Sequence, residues 1–467
     1  MRRRLPAILR VGLPYLAAVA AWGGALVPVP LPMVAGVGAL VTGVATRRTA
    51  PILLAVGFAA SVFAANAVSG LASPTAGPWT GEVVLVGDPS ARGGGTAVDV
   101  STPLGRLELV AWGGTARMLT ERQAGDRLRA VGRIGPFPDP GRVAHRHLRG
   151  RLTATSLSPH GPPVRWLAPA TVLRRLVLAG TEGLPPAQRP IYAGFVLGDD
   201  RGRSEQVTAE FESSGLSHLL VVSGENVVFV LLVLSPILDR LGRRTRVIVA
   251  ISALVVFAAA TRFEPSVLRA TVMAGVATLA VASGRATSGR RALAIAVVVL
   301  VLIDPLLVRS VGFRLSVAAA AGIVVLGPTI ERGLRGPRRL RAVLAVTIAA
   351  QVAVAPLIVP LFGPMPLVAI PANVLAEPVA GLVMMWGCTG GIVAGLIGGS
   401  FGELLQLPAR LGLGWVMGVA HVASRFPRLE VGLAPLVGGV ALVVCVAVVR
   451  GRVRRGPRAP VPAAAEG

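Results

Sequence analysis

The sequence contains no lysine: all 47 basic residues are arginine, against 22 acidic residues, which gives a net charge of +25. A Walker A loop needs a lysine after its glycines, and the sequence has no such loop, so it shows no ATP-driven motor of its own. Arginine suits a polyanionic partner, but it also suits the cytoplasmic loops of a membrane protein. The net charge is therefore weak support for nucleic-acid binding.

Histidine and cysteine are also scarce. Five histidines are too few for a histidine-rich dinuclear zinc site, and two cysteines indicate no disulfide framework. His145 and His147 form a His-x-His pair, but Leu148 and Arg149 follow where a metallo-hydrolase needs Asp-His. We therefore expect no metal, no cofactor and no catalytic residue.

Apolar residues dominate the sequence. With 53% hydrophobic residues, 15% charged residues and a mean hydropathy of +0.70, the composition predicts a polytopic α-helical membrane protein. Runs long enough to span a bilayer, about 20 residues each, recur along the chain. We expect membrane segments near 11–28, 32–45 and 51–72, then near 216–236, 246–262, 265–283, 291–309, 313–330, 340–362, 366–397 and 431–450, with a further candidate at 404–424.

Clusters of arginine predict which loops face the cytoplasm. The positive-inside rule places the N-terminus, with residues 2–4, and the turn at 47–48 in the cytoplasm, so the region after the third segment lies outside. The tail 451–467 is also predicted to be cytoplasmic. The arginine-rich turns at 240–246, 285–291 and 332–341 are expected not to alternate consistently with the predicted segments. Either some segments are then re-entrant or interfacial, or the positive-inside rule is violated.

The region from 74 to 163 has the character of a soluble domain. Short runs typical of strands occur at 82–86, 96–100, 106–110, 125–134 and 151–156, with a hairpin turn at 103–105. This pattern predicts a small extracytoplasmic all-β, OB-like domain, inserted after the first three membrane segments (residues 1–73). Such a barrel binds single strands or acts as a structural cap, and stacking candidates are few: Trp79, Trp112 and Phe137.

An amphipathic linker at 164–185 is predicted to lie along the membrane surface. It carries Arg174 and Arg175 among leucine and valine residues. The second membrane region is predicted to extend from 186 to 450.

The segment from Gly215 to Asn226 places polar groups inside an apolar span: a histidine, a Ser-Gly pair, a carboxylate and an amide. An ionisable residue at the centre of a bilayer costs at least about 2.5 kcal/mol, so such groups face a polar cavity or a partner. A Ser-Gly pair also favours a helix break. The segment therefore predicts a polar path through the membrane, and the alternative is a helix cap just outside the lipid.

Further polar residues occur at membrane depth. Arg269 follows Pro265 by about one helical turn, where it faces anionic cargo or pairs with Glu264 or Asp304. Gln351 precedes Pro356 and Pro360, and Asn373 precedes Glu377 and Pro378, which predicts two more broken helices. Asp199 and Arg201 form an interfacial turn or a functional site.

Taken in order, these segments resemble the ComEC family, the membrane channel protein of natural DNA uptake. The resemblance covers about residues 186–400 and more loosely the N-terminal segments with the strand-rich insert. The matching motifs are Leu197-Gly198-Asp199, Gly215 to Gly224, Ser266 to Met273, Gly312 to Ser316, Gln351 with Pro356, and Asn373 with Pro378.

The resemblance implies a cytoplasmic-membrane channel for inward transport of single-stranded DNA during natural transformation. Its implied partners are a separate DNA receptor, a nuclease and a motor or helicase, and the oligomeric state stays open. The implied DNA path consists of His218, Ser223, Gly224, Glu225, Asn226, Arg269, Ser316, Gln351, Asn373, Asp199 and Arg201.

The sequence also departs from the family pattern. Asn226 stands where many members carry histidine, and Arg314 stands where glutamine is common. No metallo-β-lactamase-like domain follows the membrane region, so the nuclease is expected to be a separate protein, or no nuclease is used. Two alternatives stay open: a small-solute permease with broken helices, and an intramembrane enzyme that uses His218 and Ser223.

Overall fold

The computed structural model describes residues 7–29, 39, 42, 49–137, 140–363, 365–366, 368–426 and 430–431. The predicted segment at 32–45 lies almost wholly outside the described residues, as do the predicted segment at 431–450, the tail and the arginines at 2–4 and 47–48. The described part is mostly helical, with several apolar helices and one barrel-like sheet near the N-terminus.

Two apolar helices precede the sheet: α1 (Ala7–Leu26) and α2 (Thr49–Ser69). They approach so closely that a Cβ atom on Gly24 would lie 1.9 Å from the carbonyl oxygen of Gly57, so only glycine fits there. Further along, the Ser61 hydroxyl donates to the Val27 carbonyl over 2.5 Å. From the first contact to the second, the residue number rises in both partners, from Gly24 to Val27 and from Gly57 to Ser61. The helices α1 and α2 therefore run parallel.

The sheet is built from β1 (Gly77–Leu85), β2 (Ser90–Arg92), β3 (Gly95–Thr102), β4 (Gly105–Ala111), β5 (Arg127–Gly135) and β6 (Leu148–Pro159). Its order is β1-β5-β6-β4-β3-β2, and a further β1–β3 pairing brings five of these strands into a barrel-like arrangement. Only the β4–β6 pairing is parallel among the described pairs. A helix, α3 (Gly113–Thr120), lies between β4 and β5.

Alternation of apolar residues builds the inside of this barrel. Residues at every second position of the strands, such as Leu107, Leu109 and Leu152, are fully buried, and burying one such side chain contributes about 1.5–3 kcal/mol. Each predicted strand overlaps an observed strand, and the predicted turn lies between β3 and β4.

Helices make up most of the remaining described chain. After a short α4 (Pro140–Val143) in the barrel come α5 (Ala168–Gly180), α6 (Arg189–Leu197), α7 (Glu205–Ser213), α8 (Glu225–Leu238), α9 (Arg243–Ala260), α10 (Pro265–Ala282), α11 (Gly289–Ile303), α12 (Val311–Val325), α13 (Gly327–Gly333), α14 (Arg338–Phe362), α15 (Ala369–Gly387), α16 (Gly390–Ile397), α17 (Gly399–Leu405) and α18 (Leu407–Ser424). The two-residue strands β7 (Met365–Pro366) and β8 (Glu430–Val431) pair with each other.

In the described part of the chain, 4 helices are long and apolar enough to cross a membrane: Ala50–Ser69 within α2, α10, α14 and α15. The pair α12 and α13, bent by 47°, makes a fifth if it is one span. A segment of α1, Leu13–Leu26, and α8 are shorter apolar helices. This set of helices is that of a multi-pass membrane protein.

The prediction that the arginine-rich turns would not alternate consistently with the membrane segments is wrong. Arg262 and Asp304, which follow α9 and α11, both contact the barrel, so the turns at 240–246 and 285–291 lie at the opposite ends of these helices. The side chain of Arg290 donates to the Val324 carbonyl over 2.8 Å, which places the end of α12 at the same level. All three turns therefore lie away from the barrel.

Two of the three predicted helix breaks are also wrong. The helix α14 continues through Pro356 and Pro360, and α15 continues through Pro378. Proline removes one backbone hydrogen bond. A membrane helix can nevertheless continue through proline, because neighbouring helices satisfy the backbone groups that proline leaves free. A break does occur before α8, at residues 221–224.

Candidate functional site

The break before α8 is held by hydrogen bonds from both sides. A 3-10 turn at Ser217–Leu220 precedes it, and α8 begins at Glu225. The Ser266 hydroxyl, at the start of α10, donates to the Val222 carbonyl over 2.8 Å. The Ser223 hydroxyl accepts a hydrogen bond of 3.1 Å from the Glu225 backbone N–H. The break is therefore a defined structural element that α10 supports.

Arg269 brings three of the predicted residues together. Its Nε donates to the Ser316 hydroxyl on α12 over 2.8 Å, and its Nη1 lies 3.2 Å from the sulfur of Met273. A Cβ atom on Gly224 would lie 3.0 Å from Nη2 of Arg269, so the break and this guanidinium are in direct contact. A side chain at position 224 would push the guanidinium away.

Neither carboxylate expected as a partner pairs with Arg269. Asp304 pairs with His147 of the barrel at 2.9 Å, and no ion pair joins Glu264 to Arg269 in the described chain. No other described carboxylate forms an ion pair with Arg269 either. Arg269 is therefore a half-buried cation whose described side-chain partners, Ser316 and Met273, are both uncharged.

Acidic and amide groups lie on the other side of the break. The Glu225 carboxylate reaches α15, with Oε2 4.0 Å from where a Cβ of Gly381 would lie. Glu377, about one turn before Gly381, lies within electrostatic range of Glu225 and accepts a 3.4 Å hydrogen bond from Thr347 of α14. Gln351 follows Thr347 by one turn and shares its helix face. The helices α8, α14 and α15 thus carry polar groups towards one another.

The two predicted asparagines are buried in helix packing. The side-chain amide of Asn226 is fully buried and donates to the Phe195 carbonyl of α6 over 2.8 Å. The Asn373 amide donates to the Ala369 carbonyl of its own helix over 2.7 Å. Both amides therefore satisfy backbone carbonyl groups.

His218 has an exposed side chain on the 3-10 turn. The described contacts include no hydrogen bond between His218 and Ser223, the pair that a nucleophile and its base would form. The described residues also contain no group of three His, Cys, Asp or Glu side chains placed to hold a metal ion.

Asp199 and Arg201 belong to a separate ion-pair cluster between the barrel and the helices. The Asp199 carboxylate lies 2.6 Å from Arg201 and 2.8 Å from Arg174. Arg174 also reaches Asp88, in the turn between β1 and β2, and Asp88 pairs with Arg262 over 2.7 Å. These five residues, called the junction cluster below, therefore join four separate parts of the chain.

Arg174 is the centre of the junction cluster. Its side chain is only 2% exposed, although the linker pattern predicted an interfacial helix with arginine on its polar face. The guanidinium also donates to the Ala260 carbonyl over 2.8 Å. The sequence does not predict that Asp88, Arg174 and Arg262 meet, because no spacing rule links residues so far apart in the chain.

The charges of the junction cluster shift the pKa values of its carboxyl groups. Burial alone raises the pKa of Asp88, but Arg174 and Arg262 outweigh burial and lower this pKa to about 2. Burial likewise raises the pKa of Asp199, and its bonds to Arg201 and Arg174 more than reverse that effect. Both aspartates are therefore ionised at neutral pH.

The barrel offers few flat aromatic surfaces. Trp79 packs against the barrel core, and the Arg151 guanidinium covers Phe137 at 5.2 Å from the ring centre. Trp112 is 48% exposed. Of the three predicted stacking candidates, Trp112 is thus the most accessible.

Comparisons with known proteins place the helical region in a family. The family model described as competence protein matches residues 195–454, more than half of the chain. ComE operon protein 3 of Bacillus subtilis (strain 168) is 24% identical over 274 residues, which cover 58% of this chain and 35% of that protein. The chain thus matches about a third of the length of this relative. No solved structure matches the chain.

Proposed function

Because this chain belongs to the competence protein family, we propose that it takes part in DNA uptake as a channel that passes one DNA strand inward through the cytoplasmic membrane. The path would run beside the break before α8, between the helices that carry Arg269, Ser316, Glu377 and Gln351. In this proposal Asp199 and Arg201, which belong to the junction cluster, would lie near its entrance.

The observation that carries this proposal is the environment of Arg269. Its guanidinium is half-buried among apolar helices and bonds to Ser316 and Met273, with no described carboxylate as an ion-pair partner. A phosphate group passing the break would supply the missing negative charge, and arginine suits phosphate because it donates two parallel hydrogen bonds. Hydroxyl and amide groups nearby would keep the path wet.

The barrel supports the same proposal. Its order, β1-β3-β4-β6-β5 with β5 back on β1, and the helix between β4 and β5 are those of an OB-like fold, which commonly binds single-stranded nucleic acid. The arginine-rich turns lie at the helix ends away from the barrel, so the positive-inside rule favours an extracytoplasmic barrel. In this arrangement the barrel would receive DNA outside the membrane.

Partner proteins would supply the remaining steps. The chain has no Walker A loop, so a separate motor or helicase would pull the strand. A separate receptor would deliver DNA, and a separate nuclease would degrade the other strand.

The test measures internalisation of labelled DNA in cells that lack the gene. The cells are complemented with the wild type, Arg269→Ala, Arg269→Lys or the control Arg285→Ala, which removes an exposed arginine from a distal turn. We expect Arg269→Ala to lower uptake at least about tenfold, since a hydrogen bond to a charged group is worth about 1.5–3 kcal/mol. Arg269→Lys should retain part of the uptake, because lysine keeps the positive charge.

Immunoblots of membrane fractions confirm equal amounts of each variant. Unchanged uptake in the null strain would refute the proposal. A null strain that loses only the flux of a small solute would support a permease instead.

A further inference from the structure

Two adjoining clefts lie where the barrel meets the helices, outside the proposed DNA path. The upper cleft, about 470 Å³, is lined by Arg106, His147 and Arg149 of the barrel and by the end of α2. The lower cleft, about 400 Å³, is lined by Phe63 and the end of α11. Both clefts share Ala67, His147 and Asp304, so they form one continuous groove.

The upper cleft carries positive charge. Arg149 is fixed there by bonds to the Ala72 carbonyl (2.9 Å) and the Leu104 carbonyl (2.6 Å). It crosses over Gly105, where a Cβ atom would lie 2.6 Å from Cδ of Arg149 and where φ is +103°. A larger residue at position 105 would therefore displace this guanidinium.

Arg106 contributes a second cation to the upper cleft. Its side chain is exposed, and no described group forms a side-chain hydrogen bond or ion pair with it. Asp304 is the one carboxylate among the lining residues, and it already pairs with His147. The upper cleft therefore has positive charge in excess and suits an anion.

The lower cleft has apolar walls beside the polar residues Asn66, His147 and Asp304. Leu302, Ile303 and Pro305 line one wall, Phe63 and Ala67 line the other, and Ile303 is 75% exposed. An exposed isoleucine beside an open apolar wall offers contact area to a hydrocarbon chain.

The depth of the two clefts matches the layers of a bilayer. The candidate span Ala50–Ser69 is 20 residues long, about 30 Å, which is the thickness of the hydrocarbon core. Gly70 and Leu71 of the upper cleft follow the end of this span, at headgroup level. Phe63 lies about 10 Å further along the helix axis, at the level of acyl chains.

Asn66 marks the boundary between the layers. Its side chain is exposed on α2 within one turn of the end of the span, and it has no side-chain hydrogen bond in the described structure. An amide facing pure hydrocarbon would leave its hydrogen-bonding groups unsatisfied. An ester carbonyl of a phospholipid at this depth would accept its N–H.

We propose that this groove binds one anionic phospholipid from the barrel-side leaflet. The phosphate would lie between Arg106 and Arg149, the ester region beside Asn66, and an acyl chain along Phe63 and Ile303. Basic pockets between membrane helices bind anionic lipid headgroups, and the two arginines beside the end of α2 would supply the same chemistry. The site does not depend on DNA passage, and it would fix the barrel against the membrane.

The test uses the whole purified protein, stripped of lipid in detergent and titrated with phosphatidylglycerol, phosphatidylethanolamine or inorganic phosphate. Native mass spectrometry measures the bound lipid. We expect phosphatidylglycerol to bind about tenfold more tightly than phosphatidylethanolamine, and Arg106→Gln to weaken its binding about fivefold, because one charge-assisted hydrogen bond is lost. The matched control Arg129→Gln, an exposed arginine of β5, should bind like the wild type.

A second variant tests the apolar part of the groove. Ala67→Phe fills the lower cleft and should lower lipid binding while Arg106 stays in place, with thermal melting confirming that each variant is folded. Equal binding of both lipids that Arg106→Gln leaves unchanged would overturn the proposal. So would displacement of phosphatidylglycerol by equimolar inorganic phosphate, or by a single-stranded oligonucleotide, since each would identify a simple phosphate or DNA contact.

Discussion

The guanidinium of Arg174 lies 2.5 Å from the carboxylate of Asp88, although 86 residues separate them. Asp88 also pairs with Arg262, whose backbone has a left-handed φ of 57°. A non-glycine residue in this region is uncommon, and the ion pair with the barrel helps to hold it there. The junction cluster therefore fixes the barrel relative to α5 and to the turn between α9 and α10.

Replacement of Asp88 should destabilise the protein strongly. The variant Asp88→Ala leaves Arg174, which is 2% exposed, with one carboxylate instead of two, and removing one partner of a buried ion pair costs about 3–5 kcal/mol. We expect a lower melting temperature and faster proteolysis between the barrel and α5. The control Glu121→Ala, an exposed carboxylate at the end of α3, should melt like the wild type, and an equal loss in both variants would contradict a specific role for Asp88.

The contribution of Asp88 should depend on pH. The Asp88 pKa is about 2 in the folded protein and about 3.9 in an unfolded chain, so its stabilisation is complete above about pH 4 and is lost as the pH falls towards 2. This difference in pKa corresponds to roughly 2–3 kcal/mol. Melting curves of the wild type and Asp88→Asn should therefore differ at pH 6 and converge near pH 2, whereas a constant gap would show that Asp88 does not act through its charge.

A glycine contact fixes α16 against α5. A Cβ atom at Gly395 would lie 1.9 Å from the Leu176 carbonyl oxygen and 3.0 Å from the Gly180 nitrogen. We expect Gly395→Ala to lower the free energy of unfolding by about 1–3 kcal/mol or more, because two helix backbones would have to separate. The matched control is Gly418→Ala in α18, where a Cβ meets nothing within 4 Å and alanine should stabilise by about 0.5–1 kcal/mol. Similar melting temperatures for both variants would contradict the contact.

Asn226 is expected to support structure rather than line the DNA path. Asn226→Ala leaves the Phe195 carbonyl without its buried donor, which costs about 1–3 kcal/mol. We expect a lower melting temperature, with labelled-DNA uptake per folded molecule unchanged. A variant that folds normally but loses uptake would instead place this amide in the path.

Local patterns predicted the strands of the barrel because alternation of apolar residues depends on neighbours in the sequence. Runs such as Thr96 to Val100 and Arg106 to Val110 lie inside β3 and β4. The Ser223-Gly224 break was predicted for the same reason, since both residues weaken a helix locally. The sequence also identified Arg269 as a charged residue in an apolar segment. Its contact with Ser316 could not be predicted, because this contact comes from the packing of α10 against α12.

Features that depend on tertiary packing could not be predicted. Pro356 and Pro378 lie within continuous helices because of what surrounds them, and the sequence contains no signal for this. The burial of Arg174 is a similar case, because a surface arginine and a paired buried arginine look alike in an amphipathic pattern. The groove at Arg106 and Phe63 forms only when the barrel meets α2.

The turns of the helical region differ in electrical balance at its two ends. Near the barrel, Arg262 is offset by Glu264 and Asp304 by Arg309, whereas all charged residues in the turns at 285–291 and 332–341 are arginine. Uncharged or balanced turns cross a bilayer at lower cost during synthesis than clusters of one sign, which stay on the side of the translating ribosome. In the proposed orientation, inversion of a helical hairpin would move its arginine-rich turn outward against the resting potential. This costs about 2.3 kcal/mol per charge at 100 mV. Each hairpin would therefore keep its orientation once it is inserted.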